Sequence, residues 1–141
     1  MIRVVDASVA LKWFIEEDGT AQAVALLRSG DTLIAPDLIV PEVCNAAWKA
    51  LRAGLIHPSQ QSAIAARLPS ALDSLVPTGS LAPRASALAQ MLDHPAYDCF
   101  YLALAEQQAA TLVTADRRLL GRLKDTMWAG LAEDLRTRPD A

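Results

Sequence analysis

The chain is poor in the residues that hold transition metals. Among its 141 residues are two cysteines, Cys44 and Cys99, and two histidines, His57 and His94. No HExxH or CxxC spacing occurs, and each histidine precedes a proline, which is typical of loop or cap residues. A zinc site is therefore not expected. We expect both cysteines to stay reduced and to act as small apolar side chains.

Aromatic residues and long apolar runs are also scarce. Only 5% of the residues are aromatic, which argues against a platform for stacking long single-stranded nucleic acids. No apolar run reaches the ~18 residues that a membrane span needs. Because Asp6 interrupts the apolar segment at the N-terminus, no signal peptide is expected either. We therefore expect a cytoplasmic protein that does not contact membranes.

The composition is that of one compact domain. Hydrophobic residues make up 52% of the chain and charged residues 21%, which argues against disorder. The residue pattern predicts the order strand, helix, strand, several helices, strand and helix, typical of an α/β fold with a mainly parallel sheet. We expect a single domain over residues 1–135, a loop or short edge strand from Leu75 to Pro83, and a polar tail over residues 136–141.

Two aspartates stand where predicted strands end. Asp6 follows an apolar strand at residues 2–5 and precedes a predicted helix from Val9 to Phe14. Asp116 closes a β-branched strand that starts at Thr111. Either aspartate could simply cap the helix that follows it. In open α/β sheets, however, ligands bind beyond the carboxyl ends of the strands, which favours a binding site containing both residues.

Two further acids lie near predicted helix starts. Glu42 follows a proline suited to the first position of a helix, where the helix dipole would stabilise its carboxylate. Asp98 is expected one turn inside a helix opened by Pro95, with any cap supplied by Asp93 or His94. An unpaired acid in that apolar helix would be costly to bury. Capping therefore explains Asp98 less well than it explains the other three acids.

Four carboxylates gathered at one sheet edge would repel one another and resist ionising unless a positive charge lay between them. Carboxylate oxygens suit the hard cations Mg²⁺ and Mn²⁺, whereas zinc favours histidine and cysteine. Magnesium held in this way keeps several waters and engages substrate phosphates. The acids therefore indicate phosphodiester hydrolysis assisted by a divalent cation, without a side-chain nucleophile.

Four short motifs surround these acids. They are Val5-Asp6-Ala7-Ser8, Val40-Pro41-Glu42-Val43-Cys44-Asn45-Ala46, the segment from His94 to Ala105, and Leu112-Val113-Thr114-Ala115-Asp116-Arg117-Arg118-Leu119. In this order they resemble the motifs of the PIN-domain family, and specifically of VapC-type ribonuclease toxins from bacterial toxin–antitoxin pairs. The resemblance spans nearly the whole chain. It weakens beyond Leu123, because residues 125–128 suit a final strand poorly.

The resemblance implies a three-layer α/β/α sandwich and a metal-dependent endoribonuclease that acts on RNA. It also implies a homodimer that a small VapB-type antitoxin holds inactive. By the same resemblance, four acids bind Mg²⁺ or Mn²⁺ and two polar residues support them: Asp6, Glu42, Asp98 and Asp116, with Ser8 and Thr114.

Other functions are weighed against this one. Aspartyl-phosphate hydrolases need a second aspartate two residues after the first, where this chain has Ser8. A phospho-receiver domain needs a lysine at the end of a late strand, and none is found there. A housekeeping PIN ribonuclease is not separated from a toxin by the sequence. A catalytically silent PIN binding module would be marked by the loss of an acid, and all four acids are present.

The net charge of −3 is unusual for an enzyme of nucleic acids, because phosphate neutralisation supplies much of their affinity. The positive residues are clustered, however. Arg117, Arg118, Arg122 and Lys124 follow Asp116 closely, where they would either flank the acidic crevice or form a solvated helix face. We expect recognition of a folded RNA by its shape and accessible loops.

Overall fold

The centre of the protein is a five-stranded sheet. The computed structural model describes residues 1–140. The strands are β1 (Ile2–Val5), β2 (Thr32–Pro36), β3 (Ser74–Val76), β4 (Thr111–Thr114) and β5 (Ala132–Asp134). They lie in the order β3-β2-β1-β4-β5, and every neighbouring pair is parallel. The α/β class with a mainly parallel sheet, predicted from the sequence, is confirmed.

Helices cover both faces of this sheet. They are α1 (Ala7–Ala10), α2 (Thr20–Leu27), α3 (Ile39–Arg52), α4 (Pro58–Ala71), α5 (Thr78–Leu92), α6 (Ala96–Gln107) and α7 (Arg117–Leu123). The chain runs outward from β1 to β3 and then returns to β4 on the other side of β1. Because such connections are right-handed, this reversal puts α1–α4 on one face and α5–α7 on the other. The three-layer sandwich is confirmed, and no helix within residues 1–140 is long and apolar enough to cross a membrane.

The core forms where the central strands meet α3 and α6. Val4 and Val113, from the two central strands, have no exposed surface, as expected for parallel strands covered on both faces. Helix α6 packs against β1, β2 and β4, and its residues 101–105 are all buried. Helix α3 buries one face at four- and three-residue spacing, the pattern of an amphipathic helix. These two helices are therefore held firmly where their first turns reach the carboxyl edge of the sheet.

Several helix boundaries differ from the sequence-based expectations. The helix expected from Val9 to Phe14 begins earlier, as α1, and tightens into a 3₁₀ turn at Leu11–Trp13. Helix α3 begins at Ile39, so Pro41 is its third residue, a position whose missing N–H has no partner in a helix anyway. Of the loop or short edge strand expected from Leu75 to Pro83, the edge strand is present as the end of β3, but the rest is not a loop, because α5 begins at Thr78.

The C-terminal edge is better ordered than the sequence indicates. The final strand lies at Ala132–Asp134, beyond the poorly matching residues 125–128, and pairs with β4. Its short sequence has no β-branched residue, so no strand signal is present. Two arginines tie the following segment back to the sheet: Arg136 Nη1 donates to the Ala115 carbonyl at 3.0 Å, and Arg138 pairs with Glu133. The last tail residue, Ala141, lies outside the described residues.

Candidate functional site

A small cleft opens at the carboxyl ends of β1 and β4. These strands are neighbours, and the connections that leave them run in opposite directions across the sheet. This is the switch point at which α/β sheets bind ligands. The cleft has a volume of about 120 Å³ and is lined by Asp6, Ala7, Ser8, Glu42, Asp98, Tyr101 and Asp116. It therefore brings together all four acids that the sequence singles out.

Asp6 is the most deeply buried acid of the cleft, with 6% of its surface exposed. It caps α1: its Oδ1 accepts a hydrogen bond from the Val9 N–H at 3.2 Å. The same oxygen accepts from the Ser8 hydroxyl at 2.6 Å, and Oδ2 accepts from the Thr114 hydroxyl. The capping role and the site position, weighed as alternatives in the sequence, therefore both hold for this residue.

Ser8 and Thr114 fix the orientation of Asp6. The Ser8 hydroxyl accepts from the Ala115 N–H at 3.0 Å, and the Thr114 hydroxyl accepts from the Asp116 N–H at 3.0 Å. Since each hydroxyl carries one proton, these backbone donors leave that proton to point at Asp6. The carboxylate is thus locked between the end of β1 and the end of β4.

Glu42 lies in the first turn of α3 and is held by a residue that the sequence analysis did not single out. The Tyr101 hydroxyl donates to Glu42 Oε1 at 2.5 Å, and only 1% of Tyr101 is exposed. Tyr101 lies three residues after Asp98 on α6, so both share one helix face. That spacing was the available signal. Burial, together with the charge of Glu42, raises the pKa of Tyr101 above its usual range, so it serves as a hydrogen-bond donor.

The surroundings of Asp98 correct two expectations. Helix α6 begins at Ala96, so Asp98 lies in its first turn, where the dipole favours a carboxylate. Asp93 does not cap this helix, because it ends α5 with a left-handed backbone, φ 49°. His94 approaches Asp98 directly, with Nε2 and Oδ2 separated by 2.6 Å. A histidine interpreted as a loop or cap residue thus positions a cleft acid.

Asp116 follows β4 by two residues and caps α7. Its Oδ1 accepts from the Arg118 N–H at 2.9 Å and from the Leu119 N–H at 3.3 Å. Within residues 1–140, Oδ2 has no hydrogen-bond partner. Glu42 and Asp98 show the same division, with one oxygen held and the other free in the described structure. Three carboxylates therefore keep one oxygen each for a ligand.

The cleft carries negative charge that the protein does not neutralise. Burial raises the pKa of Asp6 to about 6, against the opposing effect of its hydrogen bonds, and the charge of Asp98 adds to the rise. Burial likewise raises the pKa of Glu42, while the bond from Tyr101 lowers it. No lysine or arginine within residues 1–140 forms an ion pair with the four acids. A cation from outside the chain would relieve this repulsion.

The donor set fits a hard divalent cation. Its free atoms are carboxylate oxygens, the ligands that Mg²⁺ and Mn²⁺ prefer. Within the described chain, no group of three or more His, Cys, Asp or Glu side chains is arranged to hold a metal ion. Magnesium does not need such a group, because it is commonly bound by one or two carboxylates, with waters and substrate phosphates completing its shell.

Comparison with known proteins identifies the family. The PIN domain family model matches residues 3–125, a range that includes all four cleft acids, and the chain therefore belongs to the PIN-domain family. Ribonuclease VapC3 of Pyrobaculum aerophilum is 32% identical over 118 residues, covering 82% of this chain and 90% of that protein. The resemblance to VapC-type proteins inferred from the four motifs is confirmed.

Solved structures share the fold. PAE2754 from Pyrobaculum aerophilum superimposes with a TM-score of 0.72 at 25% identity, covering 97% of this chain and 85% of that one. VapBC2 from Rickettsia felis, bound to a promoter DNA fragment, gives 0.64 at 14% identity over 95% of this chain and 98% of that one. FitAcB from Neisseria gonorrhoeae superimposes with a TM-score of 0.64 at 16% identity, covering 97% of this chain and 99% of that one. At these lower identities the last two show the fold alone.

The first prediction concerns the stability of the metal-free protein. Because the folded state raises the pKa of Asp6 from 3.8 to about 6, its protonated form is favoured on folding, and stability falls as pH rises between these values. We expect Asp6→Asn to raise the free energy of unfolding by about 1–2 kcal/mol at neutral pH, since the amide needs no ionisation. Urea unfolding in EDTA measures this gain, which should disappear below pH ~4.

The matched control is Asp18→Asn, which removes one charge from an exposed position. We expect this variant to change stability by less than about 0.5 kcal/mol at any pH. Equal stabilisation by both variants would mean that net charge, and not the burial of Asp6, controls the effect.

Proposed function

We propose that this protein is a metal-dependent endoribonuclease that acts in the cytoplasm as the toxin of a toxin–antitoxin pair. The observation that supports this proposal most strongly is the cleft at the switch point. There four acids converge without a lysine or arginine of the described chain to neutralise them: Asp6, Glu42, Asp98 and Asp116. The family assignment and the 32% identity to a ribonuclease support nuclease chemistry. An acidic cleft also needs a polyvalent cation before a phosphodiester can occupy it.

In this proposal Asp6 and Asp98 hold Mg²⁺ or Mn²⁺, with Glu42 and Asp116 as direct or water-mediated ligands. Asp6 would use the lone pair that its three hydrogen bonds leave free. The bound cation would lower the pKa of a water and stabilise charge on the scissile phosphate. The chain supplies the positioning. Each free carboxylate oxygen belongs to a residue whose other oxygen is already fixed, so the ligand atoms are preorganised before binding.

A water is the nucleophile in this mechanism. The Ser8 hydroxyl is committed to Asp6 and to a backbone N–H, so it is not available for attack. Asp116 Oδ2, Glu42 Oε2 and Asp98 Oδ1 are the cleft oxygens able to accept the proton that the water loses. None of these steps requires a covalent intermediate.

A housekeeping ribonuclease and a catalytically silent binding module are the alternative functions. A silent module would be marked by the loss of an acid, whereas all four acids line the cleft here. The toxin role is favoured over housekeeping because the four motifs resemble those of VapC-type toxins and the chain is 32% identical to Ribonuclease VapC3.

The second prediction concerns the metal. We expect the purified protein to cleave RNA in Mg²⁺ or Mn²⁺ and to lose this activity in EDTA, because the acids alone repel the phosphodiester. Asp98→Asn should abolish cleavage, whereas the exposed control Asp18→Asn should retain it. Denaturing gel analysis of a labelled RNA with each variant gives the result. Cleavage that persists in EDTA, or wild-type turnover by Asp98→Asn, would disprove the metal mechanism.

The third prediction concerns Tyr101. We expect Tyr101→Phe to keep the fold but to lower cleavage about 10- to 100-fold, because Glu42 loses the donor that orients it. The metal concentration for half-maximal activity should rise in parallel, a change that general destabilisation would not cause. Tyr97→Phe is the matched control, since it removes an exposed hydroxyl from the same helix. If both variants titrate with metal like the wild type, Tyr101 has no role in positioning.

The fourth prediction concerns partners. An acidic cleft attracts an arginine side chain, which can pair bidentately with carboxylates and compete with the metal. Large apolar side chains are exposed elsewhere, among them Leu55 and Tyr97, at 71% and 65%. We therefore propose a homodimer that a VapB-type antitoxin inhibits. Light scattering should show a dimer, and co-expression with the product of the adjacent gene should give a tight, inactive complex. If the protein is a monomer and the product of the adjacent gene does not change its activity, the dimer and antitoxin proposals fail and only the nuclease proposal remains.

A further inference from the structure

A second cleft adjoins the acidic one. It has a volume of about 450 Å³ and lies between the α5–α6 junction and α7, lined by Asp93, His94, Pro95, Arg118, Gly121 and Arg122. Two contacts connect its walls to the acids. His94 bonds to Asp98, and the Arg118 N–H donates to Asp116. The two clefts are therefore neighbours on the surface, near enough for one extended ligand to reach both.

The second cleft lies in the most basic part of the chain. Residues 117–124 contain four of the 13 lysines and arginines and no acid. Several arginines elsewhere are neutralised by acids, as Arg84 is by Glu106 and Arg136 by Asp134. The Arg118 guanidinium, in contrast, forms no hydrogen bond or ion pair within residues 1–140. Its charge is available to an external anion.

Arg122 forms a fixed wall of the same cleft. Its Nε donates to the Leu92 carbonyl and its Nη2 to the Asp93 carbonyl at 3.1 Å. Asp93 is the one acid of the lining, and its carboxylate is 98% exposed, so its pairing with Arg122 at 3.4 Å is weak. Beside these side chains Gly121 leaves open space, since a Cβ there would meet nothing within 4 Å. The cleft thus combines open space beside Gly121 with two guanidinium groups, that of Arg122 held in place and that of Arg118 unpaired in the described chain.

We propose that this cleft binds a backbone phosphate of the RNA substrate, next to the phosphate that is cleaved, with Arg118 as its main contact. The proposal rests on the ribonuclease function proposed above. A free guanidinium can bind a phosphate bidentately, and a cation beside the acids offsets the repulsion that they exert on the strand. Continuity with the acidic cleft favours RNA over an acidic protein segment, because one strand would occupy both clefts.

The test compares Arg118→Gln with Arg117→Gln. Both variants remove one positive charge from the first turn of α7, but Arg117 does not line the cleft. We expect Arg118→Gln to raise the KM for RNA cleavage about tenfold with little change in kcat, the scale of one charge-assisted hydrogen bond. Arg118→Lys should recover part of the loss, since it restores the charge without the bidentate geometry. Arg117→Gln should leave both constants near the wild-type values.

A binding assay in EDTA separates this proposal from the nuclease proposal. We expect binding of a labelled, randomised RNA oligonucleotide pool to weaken in Arg118→Gln. The slope of the logarithm of the binding constant against the logarithm of the salt concentration should be smaller in magnitude by about 0.7, the value for one single-strand phosphate contact. Asp93→Asn should tighten binding, because it removes the acid of the cleft and asparagine tolerates the left-handed backbone. This change in the opposite direction excludes simple unfolding as the cause.

Each outcome decides a different claim. If the wild type cleaves no RNA but binds the pool through Arg118, the nuclease proposal fails, and the cleft is an RNA phosphate site that does not serve cleavage. If the wild type cleaves RNA while Arg118→Gln behaves like Arg117→Gln, the cleft proposal alone is wrong. If Arg118→Gln binds RNA normally but loses a co-expressed protein partner, the cleft docks an acidic protein segment and the RNA proposal is overturned.

Discussion

The structure of the site depends on the cost of burying the Asp6 carboxylate. An isolated ionised carboxylate is expensive to remove from water, and hydrogen bonds to its charged form reduce that cost. Three donors meet this need, and one of them, the Thr114 hydroxyl, comes from another strand. Because Asp6 can be satisfied only when β1 and β4 lie side by side in register, the same bonds that stabilise the acid also join the two strands at the switch point.

The three remaining acids share one arrangement: one carboxylate oxygen is held by a hydrogen bond within the protein, and the other is free, within the described chain, to bind a ligand. Glu42 is fixed by Tyr101, Asp98 by His94 and Asp116 by the N–H groups of α7. A carboxylate fixed in this way loses little conformational freedom when a cation binds. Capping and hydrogen bonding would by themselves explain a purely structural acid. Here they also fix the position of the free oxygen, which is the atom available to a ligand.

The sequence predicts this site better than it predicts the elements around it. Asp6 and Asp116 could be located because strand ends are marked by β-branched residues and a change of period. The spacing of Tyr101 from Asp98 indicates only a shared helix face. Its bond to Glu42 depends on a contact across the fold, and that of His94 to Asp98 on the exact start of α6. The final strand, Ala132–Asp134, was also missed, since its pairing with β4 comes from tertiary contacts and not from strand propensity. Tertiary context therefore decides the positioning residues, while local pattern locates the acids.

Asp116 links the acidic and basic parts of the surface. As the cap of α7 it sets where that helix begins, and the helix then carries Arg118 and Arg122 along the wall of the neighbouring cleft. A chain with net charge −3 can in this way present a local positive surface beside its acidic cleft. Moving the helix start by one residue would rotate the arginines by about 100° around the axis, away from the cleft. The capping bond that looks purely structural therefore fixes the spatial relation between the four cleft acids and the arginines of the neighbouring cleft.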